Sequence, residues 1–163
     1  MKKALALLCL VAASLLVFAA CKESYRNDLT PYELADHLET EGVGGLLRQM
    51  DDQVGFYGEL QIDSPFALRL AEDGSNLDEF AVFSCENETQ AKALAKRLND
   101  YLKERYEKDR DWYLSYIPEE LPKLQRAEVK TFGNYVAYAI LSQNERNRAF
   151  DLLHQKLLQI KTA

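Results

Sequence analysis

Three side chains in this sequence have the chemistry for nucleophilic or acid–base catalysis: Cys85, His37 and His154. A thiol becomes a strong nucleophile when a neighbouring base, positive charge or helix N-terminus lowers its pKa. Cys85 stands at a predicted strand end without such a signal, and the two histidines lie on separate predicted helices. Neither histidine has a histidine partner four residues away, as a helical zinc site requires. We therefore expect a buried structural thiol, and we predict no catalytic residues, no metal site and no cofactor.

Carboxylates occur in several short clusters, and these are candidates for calcium binding or paired-carboxylate catalysis. In Asp73-Gly74 the glycine follows the acid directly, whereas an EF-hand loop has its glycine at the sixth position. Asp73-Gly74 is therefore interpreted as a turn. Carboxylates that hydrolyse glycosidic bonds are recognised by their separation in space and not by their spacing along the chain. The other clusters, which have no metal-ligand spacing, are Asp51-Asp52, Asp78-Glu79 and Glu119-Glu120.

The segment Trp112 to Glu120 has the most distinctive composition in the chain, with three aromatic residues in its first five positions. Aromatic rings dominate recognition surfaces, so Trp112, Tyr113 and Tyr116 form a possible binding face for a sugar or a partner peptide. The alternative is that these rings close one end of the core, which the frequency of aromatic residues in cores favours. Other aromatic residues that we considered for the same face are Phe132, Tyr135 and Tyr138.

The first 20 residues have the pattern of an export signal. Lys2 and Lys3 precede an uncharged run from Ala4 to Ala20. A membrane-spanning helix needs about 20 apolar residues, and this run is slightly short and ends in small residues before a cysteine. The pattern favours removal of residues 1–20 over a permanent anchor.

The ending Val17-Phe18-Ala19-Ala20-Cys21 resembles the lipobox of bacterial lipoproteins, in which a cysteine receives a diacylglyceryl group before signal cleavage. Phe18 departs from the aliphatic residue preferred three positions before the cysteine. Cys21 is the predicted lipid attachment site. An uncleaved anchor, ordinary cleavage after Ala19 and a chance cysteine are the alternatives. We predict that Cys21 to Leu29 form the lipidated cysteine and a tether, whose eight residues after Cys21 span about 26 Å when extended.

Charge and cysteine content limit the classes of function. Removing the two signal lysines leaves 18 basic against 26 acidic residues, a net charge of −8. An acidic domain is repelled by nucleic acid and by anionic lipid, so a nucleic-acid partner is not expected and the lipid must hold the chain at the membrane. Cys9 leaves with the signal and Cys21 carries lipid, which excludes a disulfide scaffold. Residues 30–163 have the length of one domain.

The remaining sequence predicts a helix followed by two ββα units. Thr30-Pro31-Tyr32-Glu33 is a capping box that begins the first helix, and Gly42 ends it. A glycine-rich stretch then predicts a loop or short helix. Alternating apolar residues predict a hairpin over Phe66–Leu70 and Phe80–Phe83, and Gly133-Asn134 predicts a second, tight hairpin. Helical apolar stripes follow each hairpin, over residues 91–106 and 149–160.

These elements predict an α+β domain with a four-stranded antiparallel sheet. Each ββα unit alone would leave an apolar sheet face in water, so we expect the two units to pack together. The prediction places the helices on one face of the sheet, with the N-terminal helix at its edge.

Three short motifs resemble a family of small bacterial lipoproteins that is known only as a domain of unknown function, numbered 4358. These motifs are Asp78 to Phe83, the turn Tyr116 to Glu119, and the hairpin Gly133 to Val136. The resemblance extends over about Leu29 to Lys161. It implies a lipidated cysteine at Cys21 and a location on the outer face of the cytoplasmic membrane of Gram-positive bacteria. It implies no catalytic residue.

The sequence therefore predicts a lipid-anchored extracytoplasmic lipoprotein that acts as a binding or accessory module. Its expected partners are the membrane, through lipid such as palmitate on Cys21, and an envelope protein or wall component. Two alternatives stay open. One is an enzyme that acts on envelope polymers through carboxylates or Cys85, and the other is a purely structural or assembly lipoprotein.

Overall fold

The computed structural model describes residues 24–44, 47–49, 62–72 and 75–158. Within these ranges four helices and five strands form one α+β arrangement. In chain order they are α1 (Pro31–Thr40), β1 (Leu47–Gln49), β2 (Phe66–Ala71), β3 (Glu79–Ser84), α2 (Glu88–Tyr116), α3 (Leu121–Gln125), β4 (Glu128–Phe132), β5 (Tyr135–Ile140) and α4 (Gln143–Leu157).

Helices α1, α2 and α4 begin where the sequence supplies a side chain that caps the free backbone N–H groups. The Thr30 hydroxyl accepts from the Glu33 amide while the Glu33 carboxylate accepts from the Thr30 amide, as the capping box predicts. Asn87 caps α2 by accepting from the Gln90 amide, at a distance of 3.0 Å. Gly42 has a positive φ of 72° and ends α1, as predicted.

The sheet is antiparallel throughout, with the strand order β1-β2-β3-β5-β4. Both predicted hairpins are confirmed, with Phe66 opposite Phe83 in the first and Phe132 opposite Tyr135 in the second. Gly133 in the second turn has a φ of 60°, which explains the need for glycine there. The short edge strand β1 pairs Leu47 with Ala71, and it was not predicted because three residues give no alternating pattern.

Helices cover both faces of the sheet, and this corrects the prediction of helices on one face. Alternate residues of the central strands enter two separate apolar clusters. Phe80 and Val82 pack with α1 and α4, whereas Ala81 and Phe83 pack with α2. All six residues of β5 are buried. A strand that is buried on both sides requires cover on both faces, and its continuous apolar run Tyr135 to Ile140 is the sequence signal for that arrangement.

Buried charges connect the sheet to the helices on each face. Arg69 of β2, 2% exposed, donates to Glu39 and Asp36 of α1 at 2.7 and 2.6 Å. On the other face, Glu79 accepts from Arg105 of α2 at 2.8 Å and from the Tyr138 hydroxyl at 2.5 Å. Burial alone would lower the pKa of Arg105, and the Glu79 carboxylate raises it above the ordinary value. The Arg105 guanidinium therefore stays charged in this site.

The chain before α1 is hydrogen-bonded to the domain, which shortens the predicted tether. The Arg26 amide donates to the Leu157 carbonyl at 2.9 Å, and Tyr25 forms a β-bridge with Leu158. The Tyr135 hydroxyl donates to the Leu29 carbonyl at 2.7 Å. Residues 25–29 are polar and aperiodic in sequence, so their attachment depends on distant partners that a local pattern cannot reveal. Only residues before Tyr25 remain as a possible tether.

The domain has two distinct ends along the strand direction. At one end lie Tyr25, the Gly133 turn and the start of α2, where the Cys85 amide donates to the Asn134 carbonyl at 2.9 Å. We call this the tether end. At the other end lie Glu79, Glu128 and α3, because β3 and β4 begin there. Helix α2 runs from the tether end to the other end and beyond it.

Candidate functional site

Helix α2 is longer than the sheet on which it lies. Its 29 residues span about 43 Å, whereas six-residue strands span about 20 Å. Arg105 contacts Glu79, the first residue of β3, so the eleven residues after Arg105 extend about 16 Å past that level. The predicted stripe ended at Tyr106, but no helix breaker occurs before Pro118, and the helix continues to Tyr116.

The projecting half of α2 ends in an aromatic tip, which we define as Trp112, Tyr113 and Tyr116. Trp112 and Tyr116 stand fourteen residues after Leu98 and Leu102, which is close to four helical turns. They therefore lie on the side of α2 that packs against the sheet. Leu98 and Leu102 are buried by the sheet, but Trp112 is 53% and Tyr116 is 69% exposed.

The rings of the aromatic tip contact one another. The Trp112 and Tyr116 centroids are 5.0 Å apart with a 35° interplanar angle, and Tyr113 meets Trp112 edge-on at 5.1 Å. Tyr113 also packs at the margin of the α2 core cluster. The expectation that these rings close the core is therefore wrong for Trp112 and Tyr116, while Tyr113 is half-buried. The two exposed rings form a ridge supported by the third.

The other aromatic residues considered for this face lie elsewhere. Phe132 and Tyr135 belong to the core cluster on the opposite face of the sheet, and Tyr138 is fully buried beneath α2. The Tyr138 hydroxyl is held by Glu79. Of the six aromatic residues considered for this face, the structure thus brings together only Trp112, Tyr113 and Tyr116.

Acidic residues predominate around the aromatic tip. Residues 107–119 carry four acidic and two basic side chains. Arg110 donates to Asp111 at 3.1 Å, with 54% and 85% of the two side chains exposed. Glu119 is exposed, whereas Glu120 is bonded to Lys123 at 2.8 Å. The aromatic tip is therefore an apolar ridge in an acidic surround.

Among the residues that the structure describes, no histidine lies next to Cys85. The thiol lies 3.6 Å from the Ser64 hydroxyl and packs against the α2 core cluster. His37 and His154 belong to α1 and α4, whose buried residues form the cluster on the other face of the sheet. Burial raises the pKa of the Cys85 thiol, and Ser64 and Arg97 only partly offset that effect. The thiol is therefore protonated at neutral pH, as a structural cysteine would be.

A cavity of about 420 Å³ lies at the tether end, between β3 and the first turns of α2. Among the described residues it is lined by Ser64, Ser84, Arg97 and the exposed carboxylates Asp63 and Glu86, with no histidine. The Glu86 carboxylate accepts from Gln90 at 2.9 Å. The cavity is polar, and its groups do not form a nucleophile–base pair.

Two features are absent from the described part of the chain. No cluster of three histidine, cysteine or carboxylate side chains there is arranged to hold a metal ion. In the same ranges no helix combines the length and the apolar content that a bilayer crossing requires. Cys21, the predicted lipid attachment site, lies outside the described residues.

Comparison with known proteins identifies a family. Residues 61–141 match the model of a family described as "Domain of unknown function (DUF4358)". The matched range starts before β2 and ends after β5, so it contains the four long strands, α2 and α3. It is narrower than the range Leu29 to Lys161 over which the motifs suggested a resemblance. No curated protein and no solved structure matches the chain. Residues 61–141 of this chain, which include the aromatic tip, thus match the DUF4358 domain that the sequence motifs resemble.

Proposed function

We propose that this chain is an exported bacterial lipoprotein, held on the outer face of the cytoplasmic membrane by lipid on Cys21. Its domain acts as a binding or accessory module of the cell envelope, and the aromatic tip is its contact surface. The proposal depends on one observation above all. A basic start, an uncharged run and small residues immediately before Cys21 occur in the order that lipoprotein processing requires.

The energetics of acyl chains support retention at the membrane. Each buried methylene contributes about 0.8 kcal/mol, so two or more chains on one cysteine make dissociation very slow. After signal removal the net charge is −8, from 18 basic and 26 acidic residues, so the overall charge does not attract the chain to anionic lipid. The lipid is therefore the attachment that the proposal requires.

The exposure of the aromatic tip supports a binding role. Tryptophan and tyrosine are enriched among the residues that carry most of the energy of protein interfaces. An exposed Trp112 next to an exposed Tyr116, on the apolar side of a helix, exposes apolar surface that a partner would bury. The half-buried Tyr113 gives these two rings a fixed support.

Replacement of Cys21 by serine tests the anchor. We expect Cys21→Ser to abolish incorporation of a labelled fatty acid and to block processing at residue 20, because serine oxygen does not form the thioether. The matched control is Cys85→Ser, which makes the same chemical change inside the domain and should keep labelling and membrane retention. Labelling and cell fractionation measure both variants. A Cys21→Ser chain that is labelled and retained like the wild type would contradict the proposal.

A further inference from the structure

The first described residues of the chain and the aromatic tip lie at opposite ends of the domain. Tyr25 is held at the tether end by its bridge to Leu158, and its hydroxyl is 3.0 Å from Nδ1 of His154. From Cys21 to Tyr25 the chain spans at most about 14 Å, even when it is fully extended. The attachment point therefore stays close to the Gly133 turn, which contacts Tyr25.

The direction of α2 then determines where the aromatic tip stands. The helix begins beside Asn134 at the tether end, since the Asn134 side chain donates to the Glu86 carbonyl at 3.2 Å. It runs about 43 Å to Tyr116 at the other end. An acidic domain is repelled by an anionic bilayer, which opposes lying flat on it. A domain held by Cys21 thus directs its aromatic tip away from the membrane.

We propose that the aromatic tip stands about 40 Å from the bilayer and binds a partner protein through an apolar groove bordered by basic side chains. This inference rests on the proposed anchor at Cys21 and adds the orientation of the domain and the chemistry of its partner. The position excludes lipid as the occupant of the aromatic tip.

Two features of the aromatic tip select a protein groove over a sugar. Tyr116 and Tyr113 already contact the Trp112 ring, which leaves a ridge and not an open platform for stacking. Four acidic against two basic side chains over residues 107–119 attract a positively charged rim. A groove with basic edges complements both the shape and the charge.

Intrinsic fluorescence tests the orientation, because Trp112 is the only tryptophan of the chain. The acylated protein is placed in vesicles of phosphatidylglycerol and phosphatidylethanolamine with brominated acyl chains. We expect no loss of Trp112 emission relative to unbrominated lipid, and acrylamide quenching equal to that in detergent. Strong quenching by brominated lipid, or protection from acrylamide by the vesicle, would overturn the orientation.

A relocated tryptophan provides the matched control. Lys156 is exposed next to Leu157, at the tether end. In the double variant Trp112→Phe/Lys156→Trp we expect the reporter to respond to the bilayer more than Trp112 does. Equal responses at the two positions would contradict the proposed orientation. If the chain fails to associate with vesicles or to carry lipid, the proposed function fails, which is a separate outcome.

Cross-linking in cells tests the partner. A photoreactive residue replaces Tyr116, and the same residue at Lys156 serves as the control. The proposal expects a protein adduct specific to position 116 that is lost when Trp112→Ala is added. Binding of the identified protein to the acylated chain should weaken with rising salt, as charge complementarity requires. An adduct with glycan or with a second copy of this chain, no adduct, or salt-independent binding would overturn the partner assignment.

Discussion

Replacing Glu79 by alanine is expected to destabilise the domain by about 3–5 kcal/mol. The substitution leaves the Arg105 guanidinium, whose side chain is 17% exposed, without its carboxylate. It also removes the acceptor of the fully buried Tyr138 hydroxyl. The loss of an ion partner in a buried site costs more than the pair contributes, because the remaining charge has no compensation. Urea denaturation followed by circular dichroism measures the change in the free energy of unfolding.

Two further variants test whether the expected loss of stability comes from the buried position of the Glu79 carboxylate and not from the removal of any carboxylate. Glu79→Gln keeps an oxygen acceptor for Tyr138, so we expect a smaller loss than for alanine. Glu107 forms a pair with Lys103 on the same helix, but the two side chains are 64% and 76% exposed, with 3.9 Å between the charged atoms. Glu107→Ala should therefore leave the unfolding midpoint unchanged. Equal free energies of unfolding for Glu79→Ala and Glu107→Ala would show that the Glu79–Arg105 pair does not stabilise the packing of α2 on the sheet.

Replacing Phe83 by alanine is expected to cost about 3–5 kcal/mol, because a fully buried ring leaves a cavity. Phe83 is 0% exposed in the central strand β3, and its ring centroid lies 5.3 Å from that of Phe66 and 6.3 Å from that of Tyr138. The cavity would lie between the sheet and α2. Thermal and urea denaturation measure the loss.

The matched control for Phe83→Ala is Trp112→Ala. Trp112 has a larger ring, and it lies on the apolar side of α2 but beyond the end of the sheet. Trp112 is 53% exposed, so we expect Trp112→Ala to cost less than about 1 kcal/mol. A small stability loss is also what makes this variant usable in the cross-linking experiment. A cost for Trp112→Ala as large as that for Phe83→Ala would show that the aromatic tip belongs to the core and would remove the argument for a contact surface.

The sequence predicted the elements that local chemistry defines. The capping box at Thr30 and the turn at Gly133 each act within a few residues, and both occur where expected. The α+β class and the two hairpins are likewise confirmed. These features depend on backbone and side-chain preferences that do not need the rest of the fold.

Features that depend on distant partners were predicted less well. The pairing of β1 with β2 and the attachment of Tyr25 to Leu158 join segments far apart in the chain. The order of two ββα units does not show which face of the sheet each helix covers, although the uninterrupted apolar run of β5 indicates cover on both faces. The Glu79–Arg105–Tyr138 site joins two strands and a helix, and no sequence motif predicts it.

The candidate site was predicted in part. Residue type alone indicated a binding face at Trp112, Tyr113 and Tyr116. The exposure of these side chains depends on how far α2 extends beyond the sheet. That difference in length follows from the tertiary arrangement and not from the aromatic residues themselves. Whether Cys21 carries lipid stays a prediction from the N-terminal sequence.

The intact mass of the chain extracted from bacterial membranes tests the anchor most directly. We predict a mature chain that begins at Cys21 and carries the added mass of a glyceryl group with its fatty acids. A chain of unmodified mass that begins at Met1, or one cleaved after Ala19 without lipid, would contradict the account.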